Sequence, residues 1–339
     1  MSKPNNTREN SGKVINLKQT LSRYKQIIVL VVLLIASYMI TPAFLSSKNV
    51  FYLTRIASII GIATLGMTIV ILTGGIDLSI GSIAALSCVL LAYFEHWGIY
   101  LGYVEELSFI APLPIIYLMC LGVGALVGLF YGYIIGKWNL PDFAVTLGGL
   151  FALKGISYII PGGQTIFGVD EFTKFLGGGG IGIIPVSFLI WIGIAVFVYI
   201  LLNYTTIGKA VYAYGGGRDA SQMCGISPVK VKMFAYAICG ILAAFVGIIY
   251  AGRTDTGDYR VAGTDLMVNA LMATLLGGVN IFGGQGSIAG VLIGSVIVAM
   301  IFNVFDLTGL HPYPRDVLRG IALIIILASL VKGEKLKKA

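Results

Sequence analysis

Apolar residues occur along this chain in ten long runs, which are separated by short polar or glycine-rich stretches. The runs occupy residues 27–45, 56–72, 78–94, 111–136, 143–161, 184–202, 233–251, 267–281, 288–306 and 317–331. A helix needs about 20 mostly apolar residues to cross a bilayer, and most of the runs reach that length, although 267–281 is short. The pattern therefore predicts an all-α polytopic membrane protein with about ten transmembrane helices.

The composition agrees with this prediction, because 57% of the residues are hydrophobic and only 11% are charged. A soluble domain of 339 residues with this composition would lack the polar residues that normally cover a protein surface. The few charged residues lie almost entirely between the apolar runs. Their positions therefore carry information about how the chain crosses the membrane.

Lysine and arginine are distributed unevenly between the loops. If the N-terminus is cytoplasmic and the segments alternate, the cytoplasmic loops and tails hold 15 of these residues and the outer loops hold 7. The positive-inside rule then places both termini in the cytoplasm. We expect a basic tail at 1–26, a transmembrane domain at 27–331 with a long cytoplasmic loop at 203–232, and a second basic tail at 332–339. The net charge of +8 reflects this topology and contact with anionic lipid, not nucleic-acid binding.

Several kinds of chemistry are disfavoured by motifs that the sequence lacks. It contains no G-x-x-x-x-G-K-[ST] motif for ATP, and neither H-E-x-x-H nor G-x-S-x-G occurs. We therefore expect no enzymatic activity, no cofactor and no metal site. A carrier driven by protons or sodium usually needs a carboxylate within a transmembrane segment, and no Asp or Glu lies in the middle of any segment. If the chain is part of a pump, another chain must supply the energy.

The stretch TGGIDLSIGS at 73–82 forms a tight turn between the second and third segments. Gly75 and its neighbouring glycine allow backbone angles that other residues avoid. Asp77 can then cap the third helix by accepting hydrogen bonds from amides near Ser79 and Ile80. The turn could also form part of a cytoplasmic docking or gating surface, and the two roles are compatible.

A weak internal repeat adds a second turn of the same kind. Residues 272–289 align without gaps with 67–84 and share the sequence Gly-Ser-Ile-Ala, which begins at Gly81 in the first copy and at Gly286 in the second. In the predicted topology both turns face the cytoplasm. We therefore include Gly284 and Gly286 with the first turn as candidate gating residues.

The predicted cytoplasmic loop at 203–232 is the longest and most polar. It contains a glycine run, an acidic residue and, after a short stretch, another glycine, which together indicate a single capped helical turn of about six residues. A short helix lying flat under a membrane domain would suit contact with a soluble motor protein. An ordinary solvated loop is the alternative.

Two features inside the apolar segments remain open to more than one interpretation. Glycines at 124, 128, 132 and 136 recur at every fourth position of the fourth segment and could serve close helix packing or a sliding surface. Lys154 lies near mid-depth in the fifth segment, where a charge must face a water-filled path, form structural hydrogen bonds or reach the lipid surface. It is the candidate residue of a translocation path.

Four separated motifs resemble those of ribose-type sugar ABC-transporter permeases. The turn at 73–82 is similar to that family's TGGIDLSVGS, and FAVTLG at 143–148 is similar to its FIVTLG. Lys154-Gly155 and GGQ at 162–164 follow in the positions of the family's RG and GGQ. These two motifs lie in the N-terminal half of the chain.

The other two motifs lie in the C-terminal half and follow in the family's order. The loop at 203–232 resembles T.FG…AIGGN.EAA..SGI, although Gly217 replaces the family's Asn, and residues 276–286 resemble IGGVSLFGGRG. The family's acidic pair before the eighth segment is absent, because Met267 and Asn269 occupy those positions. The resemblance covers nearly the whole chain from residue 27 to 331.

The resemblance implies a type II ABC importer, with ten helices in each of two permease subunits, two cytoplasmic ATP-binding subunits and an extracytoplasmic solute-binding protein. It implies that 219–225 is the coupling helix that enters a cleft on the ATP-binding subunit. The coupling residues would be Asp219, Ala220, Ser221 and Gly225. The outer loop 252–266 would contact the solute-binding protein through Arg253, Asp255, Asp258 and Arg260.

We therefore predict the multi-pass permease subunit of a bacterial inner-membrane importer, which moves a neutral sugar or sugar-like solute by alternating access. It would pair with a second permease subunit of the same or a homologous sequence. A branched-chain amino-acid permease is an alternative with a related architecture. A self-powered secondary carrier is a second alternative, and an intramembrane enzyme a third. Transport by the chain alone would identify a secondary carrier.

Overall fold

The computed structural model describes residues 25–97, 111–260, 263–309 and 312–338. Within these ranges the chain forms thirteen α-helices. They are α1 Lys25–Ile40, α2 Ser47–Leu72, α3 Ile80–Trp97, α4 Leu113–Trp138, α5 Asp142–Ile159, α6 Glu171–Gly178, α7 Val186–Tyr204, α8 Thr206–Gly216, α9 Arg218–Met223, α10 Pro228–Thr254, α11 Gly263–Leu276, α12 Ile288–Leu307 and α13 Pro312–Lys338. Almost all of the predicted basic tail at 1–26 lies outside the described residues.

Ten of these helices coincide with the ten apolar segments, so the prediction of an all-α polytopic membrane protein is confirmed. Six of them, α2, α4, α5, α7, α10 and α12, are long and apolar enough to cross a membrane, and α1, α3 and α11 are shorter apolar helices. The eighth segment ends earlier than predicted. The helix stops at Leu276, and Gly278 follows with a φ of +79°.

The long helices run in alternating directions, so the connections between them fall at two ends of the bundle. The end that carries 73–79, 139–141, 205–227 and 277–287 is called the glycine end here. The other end carries four two-residue strands, β1 Ile166–Phe167, β2 Gly180–Ile181, β3 Ile184–Pro185 and β4 Thr256–Gly257, and is called the strand end. There β1 pairs with β4 and β2 pairs with β3, both antiparallel. The pairing of β1 with β4 joins two connections that are distant in sequence.

The core is built around α2, which is the most buried of the membrane-length helices and packs against α10, α12 and α11. The glycine stripe of α4 lies against α10. A side chain at Gly124 would overlap the carbonyl oxygen of Gly240, and one at Gly128 would overlap that of Tyr236. The stripe therefore allows the two helix backbones to touch, as in other small-residue contacts in membranes.

Helix α5 has a more peripheral position. It packs mainly against α3, and side chains along most of its length are exposed. The large exposed residues are Phe143, Leu147, Phe151, Ile156, Tyr158 and Ile159. These side chains are apolar, so they suit lipid or another membrane subunit. The few polar contacts of α5 consequently have a large influence on its position.

Candidate functional site

Three glycine-containing segments meet backbone to backbone at the glycine end. The amide of Gly284 donates a hydrogen bond of 2.9 Å to the carbonyl oxygen of Leu72. Gly215 lies against both groups, because a side chain there would overlap the Leu72 oxygen and lie 2.6 Å from the Gly284 nitrogen. Gly283 and Gly284 have φ values of +95° and +72°, which favour glycine. This contact, called the glycine junction here, joins the ends of α2 and α8 to the turn before α12.

The six-residue helix α9 lies beside the glycine junction, and its position matches the predicted helical turn. It starts after Gly217, which makes no side-chain cap, so Asp219 lies inside the first turn and is not its N-cap. Ser221 is buried and donates to the carbonyl oxygen of Arg218 at 2.7 Å, while Gly225 ends the motif with a φ of +81°. Asp219 and Ala220 are exposed.

Arg218 connects α9 to the turn that follows α2. Its guanidinium donates to the carbonyl oxygen of Gly74 at 3.4 Å and lies 5.7 Å above the ring of Tyr214. A second hydrogen bond in the same region joins the Tyr212 hydroxyl to the carbonyl oxygen of Gly286 at 3.3 Å. The predicted gating turns are thus in direct contact with α8 and with the first residue of α9, immediately before the predicted coupling residues.

Asp77 is fully buried in the turn before α3. One carboxylate oxygen accepts from the amide of Ser79 at 2.8 Å and from its hydroxyl at 2.6 Å. The carbonyl oxygen of Ser79 accepts the helical bond from Ile83, so Asp77 closes an Asx turn before the helix and does not act as its N-cap. The expected bond with Ser79 is present, and no bond joins Asp77 to Ile80 among the described contacts.

The second oxygen of Asp77, Oδ2, is buried and has no hydrogen-bond partner among the described residues. Burial raises the pKa of this carboxyl, although the two bonds from Ser79 oppose the shift. Gly81 lies buried in the first turn of α3. The turn is therefore a tightly packed structural element, and its gating role stays a prediction.

A buried ion pair lies on the other side of the turn. Lys232 and Asp142 are 1% and 9% exposed, and their charged atoms are 2.6 Å apart. The Lys232 ammonium also donates to the Thr73 hydroxyl at 3.2 Å. A side chain at Gly75 would overlap the Asp142 carboxylate, so the turn must keep a glycine there to approach the pair.

Sequence reasoning missed this pair. The hydrophobic pattern places Lys232 in the loop at 203–232, but α10 begins at Pro228, so this lysine belongs to the second turn of a helix. Asp142 belongs to none of the motifs recognised in the sequence. Serine at the N-cap and proline at the first position of a helix are recognised start signals, and Ser227-Pro228 is the feature of the sequence that places Lys232 in a helix.

A cavity of about 340 Å³ lies between α3, α5 and the start of α11 toward the strand end. Its polar lining comes from Ser82, Lys154, Tyr259, Arg260, Thr264 and Asp265. Lys154 is exposed to this space, and its ammonium has no partner among the described residues. It lies about 5 Å beyond the midpoint of α5, given a rise of about 1.5 Å per residue. The location agrees with the path interpretation of Lys154 without testing it.

The other charges at the cavity are already paired. Asp265 lies 2.7 Å from Arg319, and Arg260 lies 3.1 Å from Asp258. Burial raises the pKa of Asp258, but hydrogen bonds from Arg260 outweigh this effect, so the pKa lies below its ordinary value. Lys154 is therefore the uncompensated charge of the described cavity lining.

The residues predicted to contact a solute-binding protein lie together at the strand end. Asp255 has a φ of +55°, accepts from the amide of Val169 at 2.9 Å and pairs with Lys174 at 3.4 Å. Arg260 donates to the Thr165 hydroxyl at 3.1 Å. Arg253, in contrast, packs over the rings of Tyr52 and Tyr250. Asp255 and Arg260 remain exposed, whereas Arg253 and Asp258 are partly buried.

Comparisons with known proteins give a consistent family. The family described as branched-chain amino acid transport system / permease component matches residues 49–327. The chain is 32% identical to the ribose import permease protein of Escherichia coli (strain K12) over 329 residues, which cover 96% of this chain and 98% of that protein. No solved structure matches the chain.

Two further relatives carry different descriptions, and of these two only the second names a solute. A probable ABC transporter permease protein of Escherichia coli (strain K12) is 34% identical over 335 residues, or 97% of this chain and 96% of that protein. The xylose/arabinose import permease protein of Sulfolobus acidocaldarius is 29% identical over 317 residues, or 92% of this chain and 86% of that protein. The resemblance thus extends over nearly the whole length of each relative.

Proposed function

The chain belongs to the branched-chain amino acid transport system / permease component family, and we propose that it is the membrane subunit of an ATP-driven importer for a neutral sugar. The sugar class is supported by relatives described as ribose and xylose/arabinose import permeases. The chain itself would carry out no bond chemistry. Its contribution is a path through the membrane that opens to one side at a time.

We place the glycine end in the cytoplasm, in line with the excess of lysine and arginine in its loops and tails. The exposed helix α9 would then be presented to an ATP-binding subunit. This is the observation on which the proposal depends most, because α9 is both accessible and joined to the bundle by Arg218 and the glycine junction. Closure of two motor subunits would push α9, and the bundle would respond by changing the side on which it is open.

At the strand end, the proposal assigns the exposed residues Asp255 and Arg260 to contact with an extracytoplasmic solute-binding protein. Arg253 and Asp258 would support them, since both are held by neighbouring side chains and present less surface. The family architecture also requires a second permease subunit, either a copy of this chain or a homologue. The exposed apolar face of α5 and exposed apolar residues of α4 provide surface for membrane partners.

The branched-chain amino acid alternative is favoured by the family's description, and Lys154 could bind a carboxylate. An amino acid also carries an ammonium group, which needs an acidic partner. Asp265, the acidic residue of the described cavity lining, is already paired with Arg319. A sugar needs only hydrogen-bonding groups, and Ser82, Thr264 and Tyr259 provide them. The cavity therefore suits a sugar better.

Reconstitution tests the proposal directly. Proteoliposomes are prepared with the chain alone, with its ATP-binding subunit, and with both that subunit and the solute-binding protein, and uptake of labelled ribose, xylose, arabinose and leucine is measured. We expect ATP-dependent uptake of a sugar only by the full complex. Uptake by the chain alone would support a secondary carrier, and uptake of leucine alone would support the amino-acid alternative.

One variant tests the role of α9. Ala220→Arg places a long cation on an exposed helix face, so the chain should fold but should lose its ATP-binding subunit or its coupling to it. Ala213→Arg adds the same side chain to an exposed position of α8, outside the six-residue helix, and serves as the control. Co-purification of the motor and uptake at the wild-type rate by Ala220→Arg would exclude α9 as the coupling helix.

A further inference from the structure

The ion pair between Lys232 and Asp142 is unusual for its burial. Its atoms are 2.6 Å apart, and the two side chains are 1% and 9% exposed. Removing two charges from water costs free energy that their attraction does not always recover, so a buried pair is weak evidence of a stabilising role. Such a pair is better explained when it fixes one arrangement of the chain among several.

The contacts of Lys232 show which arrangement it fixes. Besides Asp142 on α5, the ammonium donates to the hydroxyl and carbonyl oxygens of Thr73, at 3.2 and 3.5 Å. It also lies 5.9 Å from the ring centres of Tyr214 on α8 and Tyr236 on α10. A single ammonium group therefore contacts the end of α2, α5, α8 and its own helix.

Helix α5 depends on this group more than the other helices do, because much of its surface is exposed and it packs mainly against α3. Two further polar bonds hold it: the Thr146 hydroxyl donates to the carbonyl oxygen of Ile76 at 3.2 Å, and the Ser82 hydroxyl donates to that of Leu150 at 2.9 Å. The bond from Thr146 connects α5 directly to the turn, and the ion pair connects α5 to it through Lys232, which also donates to Thr73 at the start of the turn. Moving that turn should therefore move the first turns of α5.

The turn is in contact with α9 through the bond from Arg218 to the carbonyl oxygen of Gly74. Lys154, twelve residues along α5 from Asp142, lines the cavity near the strand end. A continuous set of contacts thus runs from α9 to the turn, from the turn to α5, and along α5 to the cavity. The buried ion pair is the connection in that set that joins two opposite charges.

We propose that Lys232 and Asp142 are positioning residues for transport, which make α5 follow the turn at 73–77 when α9 moves. This inference rests on the proposed function, since it assigns a route to the coupling between motor and cavity. We therefore expect that a variant without the pair folds and binds its ATP-binding subunit, but hydrolyses ATP without importing solute. A purely structural pair would instead affect folding alone.

The test replaces both charges by apolar side chains of similar size, in the double variant Lys232→Met/Asp142→Leu. Each single variant leaves one buried charge unpaired and should express poorly or melt at a lower temperature, whereas the double variant leaves none. In the reconstituted complex we expect the double variant to melt within a few degrees of wild type and to hydrolyse ATP. Its ratio of solute imported to ATP hydrolysed should fall at least tenfold.

The control is Lys137→Met, which removes an exposed lysine at the same end of the molecule. Among the described residues, Lys137 contacts only the hydroxyl and ring of Tyr133 on its own helix. The variant should therefore keep the wild-type ratio of solute imported to ATP hydrolysed. A double variant with the wild-type ratio would overturn the inference. So would a double variant that melts far below wild type, because the pair would then be structural.

A second measurement separates this inference from the proposed function. In the purified chain without any partner, amide hydrogen exchange of residues 142–148 should be faster in the double variant than in wild type, while exchange in α12 stays unchanged. Equal exchange at 142–148 would show that the pair does not hold α5, whatever the chain transports. Failure of the wild-type complex to import a sugar would contradict the proposed function and leave the exchange result as the test of the pair.

Discussion

The glycine junction makes a sharp prediction about two neighbouring glycines. Gly215 and Gly216 are both helical and belong to the last turn of α8. A Cβ atom on Gly215 would overlap the Leu72 carbonyl oxygen and lie 2.6 Å from the Gly284 nitrogen, whereas a Cβ atom on Gly216 would have no neighbour within 4 Å. Gly215→Ala and Gly216→Ala therefore add the same methyl group with opposite consequences.

The size of the effect follows from these contacts. Heavy atoms that contact each other without a hydrogen bond are about 3.5 Å apart, so in Gly215→Ala α8 must move by about 1 Å from the turn before α12 and by more than that from the end of α2. Overpacking of this kind costs about 1–3 kcal/mol, and loss of the bond from Gly284 to Leu72 adds about 0.5–1.5 kcal/mol. The total is about 2–4 kcal/mol. The entropy of unfolding is about 2.1 cal/mol/K per residue, or about 0.7 kcal/mol/K for 339 residues, so the melting temperature should fall by roughly 3–6 °C.

Thermal unfolding in detergent and uptake in the reconstituted complex measure the two consequences. Gly216→Ala should melt at or slightly above the wild-type temperature, since replacing a helical glycine by alanine at an open position stabilises by about 0.4–1 kcal/mol. Gly215→Ala should melt lower and should also lose ATP-driven uptake, because α8 leads directly into α9. Equal melting temperatures for the two variants would refute the close approach at Gly215.

Three further predictions follow from other parts of the molecule. Asp77→Ala removes the acceptor for both Ser79 bonds and should lower the free energy of unfolding by about 1–3 kcal/mol, at about 0.5–1.5 kcal/mol for each bond. Asp77→Asn keeps that acceptor and should melt and transport like wild type. A well-folded but inactive Asp77→Asn would instead assign a role to the charge. Lys154→Met should melt normally but import at least tenfold more slowly, and normal uptake would remove Lys154 from the path. In a cysteine-free background, an impermeant thiol reagent added outside cells should label Thr254→Cys and not Gly217→Cys. The reverse pattern would show that the glycine end faces the outside of the cell.

Most of the fold could be predicted from hydrophobicity, because a membrane helix must be long and apolar to cross the bilayer. The short elements could not be predicted in this way. Helix α6 has eight residues and lies at the strand end, and its boundaries depend on local bonds such as that from the amide of Phe172 to the Asp170 carboxylate. The end of α11 was misplaced for a related reason. Gly277, Gly278 and Val279 continue an apolar run, but the positive φ of Gly278 ends the helix.

The candidate site was only partly visible in the sequence. Motifs that act locally, such as the Asp77 turn and the six-residue α9, could be placed because their hydrogen bonds join residues close in sequence. The pair between Lys232 and Asp142 joins residues 90 positions apart. A contact of that separation depends on how helices pack, which hydrophobic periodicity does not specify. The glycine junction was hidden for the same reason, since its three segments meet only in the folded bundle.

The geometry of α5 explains how a small movement at the glycine end could change the cavity. Asp142 and Lys154 are separated by about 18 Å along the helix, at about 1.5 Å per residue. A tilt of about 10° around the Asp142 end would displace Lys154 by about 3 Å, which is enough to make or break a direct hydrogen bond at a normal length of about 2.9 Å. Helix α5 has no proline or glycine between Asp142 and Leu147, so its first turn should move as a rigid unit with the turn that holds it.

Gly148 and Gly149 follow at the centre of α5. An added Cβ atom at Gly148 meets nothing within 4 Å, so replacing Gly148 by alanine should stiffen the helix. If α5 transmits the movement as a rod, Gly148→Ala should leave the ratio of solute to ATP unchanged or raise it. A marked fall in that ratio would show that α5 must bend at its centre for solute to pass.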